Sequence, residues 1–247
     1  MKTNAAHGEH AASGRNGRRD LRTIGLIGFT PIVLMSALVF FSPTFPYPDD
    51  NLHGQVYLDY LFHYHIGEIQ SIVTIAYGAA VFLFFVLLIG AYEQRDGTTA
   101  TLRNVVVGAI GSYLAVWAAV SALTLLMVLI ARGYPSFGAD PSDLKLITLC
   151  WDMLNTFLAS GAVPLALTFA AIARANRSCP LLPRKLGEHG AIAVVVANAA
   201  SLGCAFVYRG PWSPGSTLQF LVPLGATSIW MIATAVVLLR KKEPMPG

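Results

Sequence analysis

The sequence predicts an all-α fold, a polytopic transmembrane bundle of six spans with both termini cytoplasmic. Three observations predict it. Apolar residues fill 55% of the 247 positions and charged residues only 12%, about half the charge density of soluble domains, so the chain lacks the polar surface to cover a globule. Six apolar stretches are near the roughly twenty residues a helix needs to cross the hydrocarbon core: residues 21–41, 69–92, 105–131, 146–173, 191–208 and 217–239. Their connections are short, and basic residues fall on alternate ones. Lys2, Arg15, Arg18, Arg19 and Arg22 precede the first span, and Arg95 and Arg103 follow the second. Arg174, Arg177, Arg184 and Lys185 follow the fourth, and Arg240, Lys241 and Lys242 the sixth. Of the 17 basic residues, Arg132, Lys145 and Arg209 alone lie on the other side. Cytoplasmic loops retain Lys and Arg, so the bias sets the orientation. The basic balance then reflects that orientation and not nucleic-acid binding, which needs a clustered basic face.

Taken in order, residues 1–20 mix Ala, Gly, His, Asn and Arg without periodicity and read as a disordered basic cytoplasmic tail. A basic region before an apolar run also describes a secretory signal. The first span is longer than a signal core, however, and Ser42-Pro43-Thr44-Phe45-Pro46 is a poor cleavage site, so the span is expected to stay. The external segment 42–68 is proline-rich at first and aromatic over 57–64, which suits the headgroup level. Span three carries small residues at Gly108, Ser112, Ala115, Ala119 and Ala122, and span five at Ala193, Ala197, Ser201 and Ala205. Both stripes are expected to be packing seams inside the bundle. Asp140-Pro141-Ser142-Asp143 predicts an Asx N-cap, proline at the first helical position and an acid in the first turn of the fourth helix. From there to Ala173 a helix would run roughly 50 Å, and Pro164 should kink it. Residues 240–247 form a short basic tail. Cys150, Cys179 and Cys204 give no framework; apolar packing is expected of them, with a Cys150–Cys204 disulfide as the alternative.

Polarity that meets the membrane marks the candidate site, because an ionisable residue inside a span is costly. Asp152 is the main candidate, with Asn155 three positions on along one helix face. Glu68 opens span two and Gln219 opens span six from the same side, where Arg132 and Arg209 also stand. These six are expected to converge on an outward-facing ligand-binding pocket; a plain interfacial carboxylate at Asp152, paired with Arg132 or Arg209, is the competing reading. Asn198 lies near the middle of span five and is expected to bond another helix. His53, His63 and His65, near Asp49 and Glu68, are an alternative external metal site, although no established spacing is matched. No catalytic residue is assigned and no cofactor is expected otherwise, since Walker, Gly-x-Ser-x-Gly and His-Glu-x-x-His signatures are all missing.

The stretch Tyr208-Arg209-Gly210-Pro211-Trp212-Ser213-Pro214-Gly215, followed by Leu218, Phe220, Leu221 and Pro223, resembles a segment of a group of actinobacterial-type six-span integral membrane proteins of unknown function. The acid early in span four and Pro183-Arg184 before span five are similar too. The resemblance implies the fold and the bacterial cytoplasmic (inner) membrane, and no activity or site residue. The leading expectation is therefore non-enzymatic binding or transport of a small molecule or lipid, with the lipid bilayer as partner. An accessory subunit docking a membrane protein partner and a metal-dependent enzyme are the alternatives.

Overall fold

The computed structural model describes residues 21–37, 66–95, 99–134, 136–137, 140–203 and 217–241, and no strand occurs among them. The helices are α1 (Leu21–Ala37), α2 (Ile66–Glu93), α3 (Ala100–Gly133), α4 (Pro141–Ser160), α5 (Ala162–Ser178), α6 (Ala191–Ser201) and α7 (Thr217–Arg240). A π-helical turn, Lys185–Gly190, leads into α6. Among the described residues four stretches are long and apolar enough to cross a membrane: Glu68–Glu93, Ala100–Gly133, Pro141–Ser178 and Val222–Arg240. Both tails and most of the external segment, with its histidines, lie outside the described residues, as does the loop carrying Cys204 and Arg209.

A short connection forces α2 and α3 antiparallel, and charges pin the hairpin at both ends. Glu68, in the first turn of α2, pairs with Arg132, in the last turn of α3. Glu93 pairs with Arg103 at 3.5 Å at the opposite end. Between them, Ser121 Oγ donates to the Ser71 carbonyl at 2.9 Å, and Gly78 lets the helices close in, since a Cβ there would stand 2.9 Å from Trp117 Cβ. α3 also packs on α4 and α5, α5 on α6, and α6 on α7. Gly25 and Gly28 bring α1 against Leu239 of α7 and Phe84 of α2, closing a ring of helices.

At the centre of the ring, toward the basic end, Trp230 stacks on Phe85 at 6.1 Å and meets Phe169 edge-on at 4.9 Å. Phe169 also meets Phe85 edge-on at 5.2 Å. Lipid tails are as apolar as these side chains, so close packing holds the helices together where transfer from water cannot. Each such aromatic pair contributes about 0.5–1.5 kcal/mol beyond buried area. A smaller core of Val120, Met127, Val128, Ala131, Ile147 and Leu154 joins α3 to α4. Cys150 packs beside it as a free thiol, and Cys204, its partner in the disulfide alternative, lies outside the described residues.

The fourth apolar run is a single stretch, Pro141–Ser178, interrupted at Gly161. Pro164 is the cause three residues on, because it has no N–H for the Ser160 carbonyl and its ring displaces that group. The small-residue stripe of the third span is not a seam and needs correction: Gly108, Ser112, Ala115 and Ala122 are exposed on α3, whereas in the fifth span Ala193 is exposed, Ser201 is buried and Ala205 lies outside the described residues. Tyr113, Trp117, Val120 and Thr124 face inward from α3, as do Ala191, Val194, Asn198 and Ser201 from α6. Interlocking of large side chains with neighbouring helices fills the interior, so the small residues of the α3 stripe are left outside.

Candidate functional site

At the end of the bundle opposite the basic one the structure brings Glu68 and Arg132 together. The acid sits at a helix N-terminus and the base at a helix C-terminus, each where the macrodipole favours it. With side chains 29% and 33% exposed, the pair is partly screened and contributes about 1 kcal/mol at most. Asp140 caps α4 as the sequence predicts: its carboxylate accepts from Ser142 N at 2.7 Å and Ser142 Oγ at 2.6 Å. Those two bonds hold its carboxyl below the usual aspartate value. Asp152 lies exposed on α4, and its carbonyl accepts from Thr156 Oγ1 at 2.8 Å. The side chains of Asn155 and Gln219, like Arg209, His53, His63 and His65, lie outside the described residues. No three His, Cys, Asp or Glu side chains among the described residues come close enough to hold a metal ion.

Deeper in the bundle, α3 to α7 leave a cavity of about 40 Å³, enough for one or a few waters. Tyr113 and Trp117 line it from α3, Gly161 and Leu165 from the broken fourth run, Asn198 and Ser201 from α6, and Pro223 and Leu224 from α7. Trp117 is about 22 Å along α3 from Arg132 at 1.5 Å per residue, so the cavity stands near the middle of that helix. Its existence follows from the sequence locally. Pro164 and Pro223 each remove a backbone donor, and Gly161 adds no side chain, so two walls are irregular where regular helices would pack flush.

No family model matches this chain. Nor does any curated protein or solved structure. Function must therefore be argued from the cavity itself, and its polar groups are informative. Trp117 stands edge-on to Tyr77 at 4.9 Å and to Tyr113 at 5.9 Å. The Trp117 indole N–H and the Tyr77 hydroxyl both turn to the Tyr113 hydroxyl. Tyr77 stands behind the lining, and the Thr227 hydroxyl, one turn beyond Pro223, is buried with no hydrogen-bond partner among the described residues.

Asn198 differs from expectation. Its Nδ2 donates to Val194 O at 2.8 Å within its own helix, and Ser201 Oγ donates to Asn198 O at 2.7 Å. Bonding back to a carbonyl one turn earlier satisfies the donor without another helix, so neither group draws a neighbour across the cavity. Apart from the Tyr113 phenol, the lining carries no ionisable side chain. Such a chamber can hold a neutral molecule by shape and hydrogen bonds; it has no group to move a proton at neutral pH. Tyr77, Tyr113 and Trp117 had not been singled out from the sequence, because aromatic residues within an apolar span read as packing.

Proposed function

We propose that this chain is a non-enzymatic six-span protein of the bacterial inner membrane that binds or passes a small molecule or lipid, with the mid-membrane cavity as its inner binding chamber. Both termini are cytoplasmic in this reading. Glu68, Arg132 and Asp152, with Asn155, Arg209 and Gln219, form the outer approach. The observation that carries the proposal is the pair of donors, Trp117 N–H and Tyr113 O–H, in a cavity that Gly161 and Pro223 also line. They call for a neutral ligand with an acceptor oxygen, and Gly161, Pro164 and Pro223 give the walls the hinges by which 40 Å³ widens to admit it.

The test is mass spectrometry of the chain extracted gently in native lipid, comparing wild type with Ser201→Leu, which fills the cavity. Wild type is expected to carry a defined bound mass that the variant lacks. Identical bound masses in both would sink the proposal. The same spectra weigh a second reading, an accessory subunit, which the exposed small-residue stripe on α3 favours because small side chains admit a second helix closely. A stoichiometric partner chain, lost in Ala115→Phe, with an empty cavity would make that the better reading.

A further inference from the structure

Where α2 ends against α5, at the basic end of the bundle, polar groups gather that the cavity does not use. Tyr92 Oη and Leu182 N both donate to Asn176 Oδ1, each at 2.8 Å. The acceptor oxygen of Asn176 is thus fully engaged, while its Nδ2, on a residue only 1% exposed, has no acceptor among the described residues. Arg95 Nε is buried nearby and also lacks one. The two groups belong to one cluster. Cys179 Sγ donates to the Arg95 carbonyl at 3.3 Å, and the Arg95 charge acts on the same Tyr92 hydroxyl that binds Asn176. Glu188, the neighbouring buried carboxylate, is engaged by Arg177 at 3.4 Å and Arg184 at 3.5 Å.

We propose that this junction binds a phosphate group, with the Arg95 guanidinium and the Asn176 amide as its donors. The ends of α2 and α5 each place about half a negative charge here, which Arg95, Arg174 and Arg177 outweigh. The Arg95 Nε–H and the Asn176 Nδ2–H, both without acceptors among the described residues, fit an anion that offers several oxygens at once. Such a group comes either from a phospholipid of the cytoplasmic leaflet, whose headgroups lie at this depth, or from free phosphate in solution.

The experiment uses the purified full-length chain, delipidated in detergent, as wild type, Arg95→Gln and Arg184→Gln. Retention of phosphatidylglycerol is read by native mass spectrometry, with diacylglycerol as the phosphate-free control, and the shift in melting temperature is read with inorganic phosphate. Arg95 serves the fold through its backbone, so Arg95→Gln is expected to fold. A roughly tenfold loss of phosphatidylglycerol retention in Arg95→Gln, but not in Arg184→Gln, supports a lipid headgroup. Stabilisation by inorganic phosphate that Arg95→Gln alone abolishes supports a soluble phosphate. The proposal is overturned if wild type and Arg95→Gln behave alike in both assays, or if Arg184→Gln loses as much as Arg95→Gln, which would reduce the effect to general surface charge.

Discussion

Two tryptophans in this bundle sit in opposite kinds of surroundings. At the basic end Trp230 Nε1 donates to the Leu186 carbonyl at 2.9 Å, tying α7 to the π-helical turn before α6. Around it Tyr92, Asn176 and Leu182 tie α2 to α5, and Glu188 gathers Arg177 and Arg184. All but the Arg184–Glu188 pair, which spans one turn, reach from one element to another. At the cavity the Trp117 N–H turns to Tyr113 on its own helix, and Asn198 and Ser201 bond only within α6. The first region uses polarity to fix helices against one another. The second keeps polarity while leaving a space between helices. Polar ties between elements hold the first arrangement together and are missing from the second, which is why the cavity bears the leading functional reading.

The largest effect that sharpens this contrast is expected from Gly187→Ala. A Cβ there would stand 2.3 Å from Asn176 Cγ, so the amide must move and release the bonds from Tyr92 and Leu182. Losing two buried hydrogen bonds and leaving their groups unpaired should cost about 2–4 kcal/mol, seen as a lowered melting temperature in detergent. A small shift would mean that the junction yields more easily than its hydrogen bonds imply. Next comes one substitution made twice. Trp230→Phe and Trp117→Phe remove the same atoms, but only the first orphans a carbonyl. Trp230→Phe should therefore be the more destabilising by about 1–2 kcal/mol, whereas Trp117→Phe should lower the bound mass at little cost in stability. Equal melting temperatures would erase the distinction between the two regions.

Much of the helical pattern was legible because its causes are local. Span length, the Asp140 cap and the start of the last helix at Thr217 follow from residues adjacent in sequence. The effect of Pro164 was legible too, although its outcome, a break at Gly161, depended on the carbonyl four residues back. Packing was less readable. Nothing in the spacing of Gly108, Ser112 and Ala115 says whether small residues face a helix or lipid; the neighbouring ring of Phe, Tyr and Trp decides it. Of the candidate site, the partnership of Glu68 with Arg132 lay in two residues 64 positions apart, which only the antiparallel hairpin brings together. Asn176 gave no signal because a lone amide between Arg174 and Arg177 looks like ordinary interfacial polarity. Its role depends on Gly187 lying against it.

The smallest effect separates the two ends of the bundle by pH. At the end opposite the basic one, α4 begins on a carboxylate, and the hydrogen bonds from Ser142 depress the Asp140 pKa below its ordinary 3.8. A depressed acid contributes stability that is fully present above its unfolded value and is lost as pH falls through the folded one. The first turn of α4 should therefore loosen only below about pH 3.8. Hydrogen exchange over residues 141–147, normalised at each pH to Asp140→Asn, gives the readout, because asparagine caps without titrating. Protection in the wild type should fall toward that of the variant as acid is added. The Asn176 junction is closed by a phenol and an amide that keep their protons over this range, so exchange at Leu182 should stay level. If both ends loosened together, acid would be opening the bundle as a whole, and the contrast between an end capped by a carboxylate and a junction closed by a phenol and an amide would have to be abandoned.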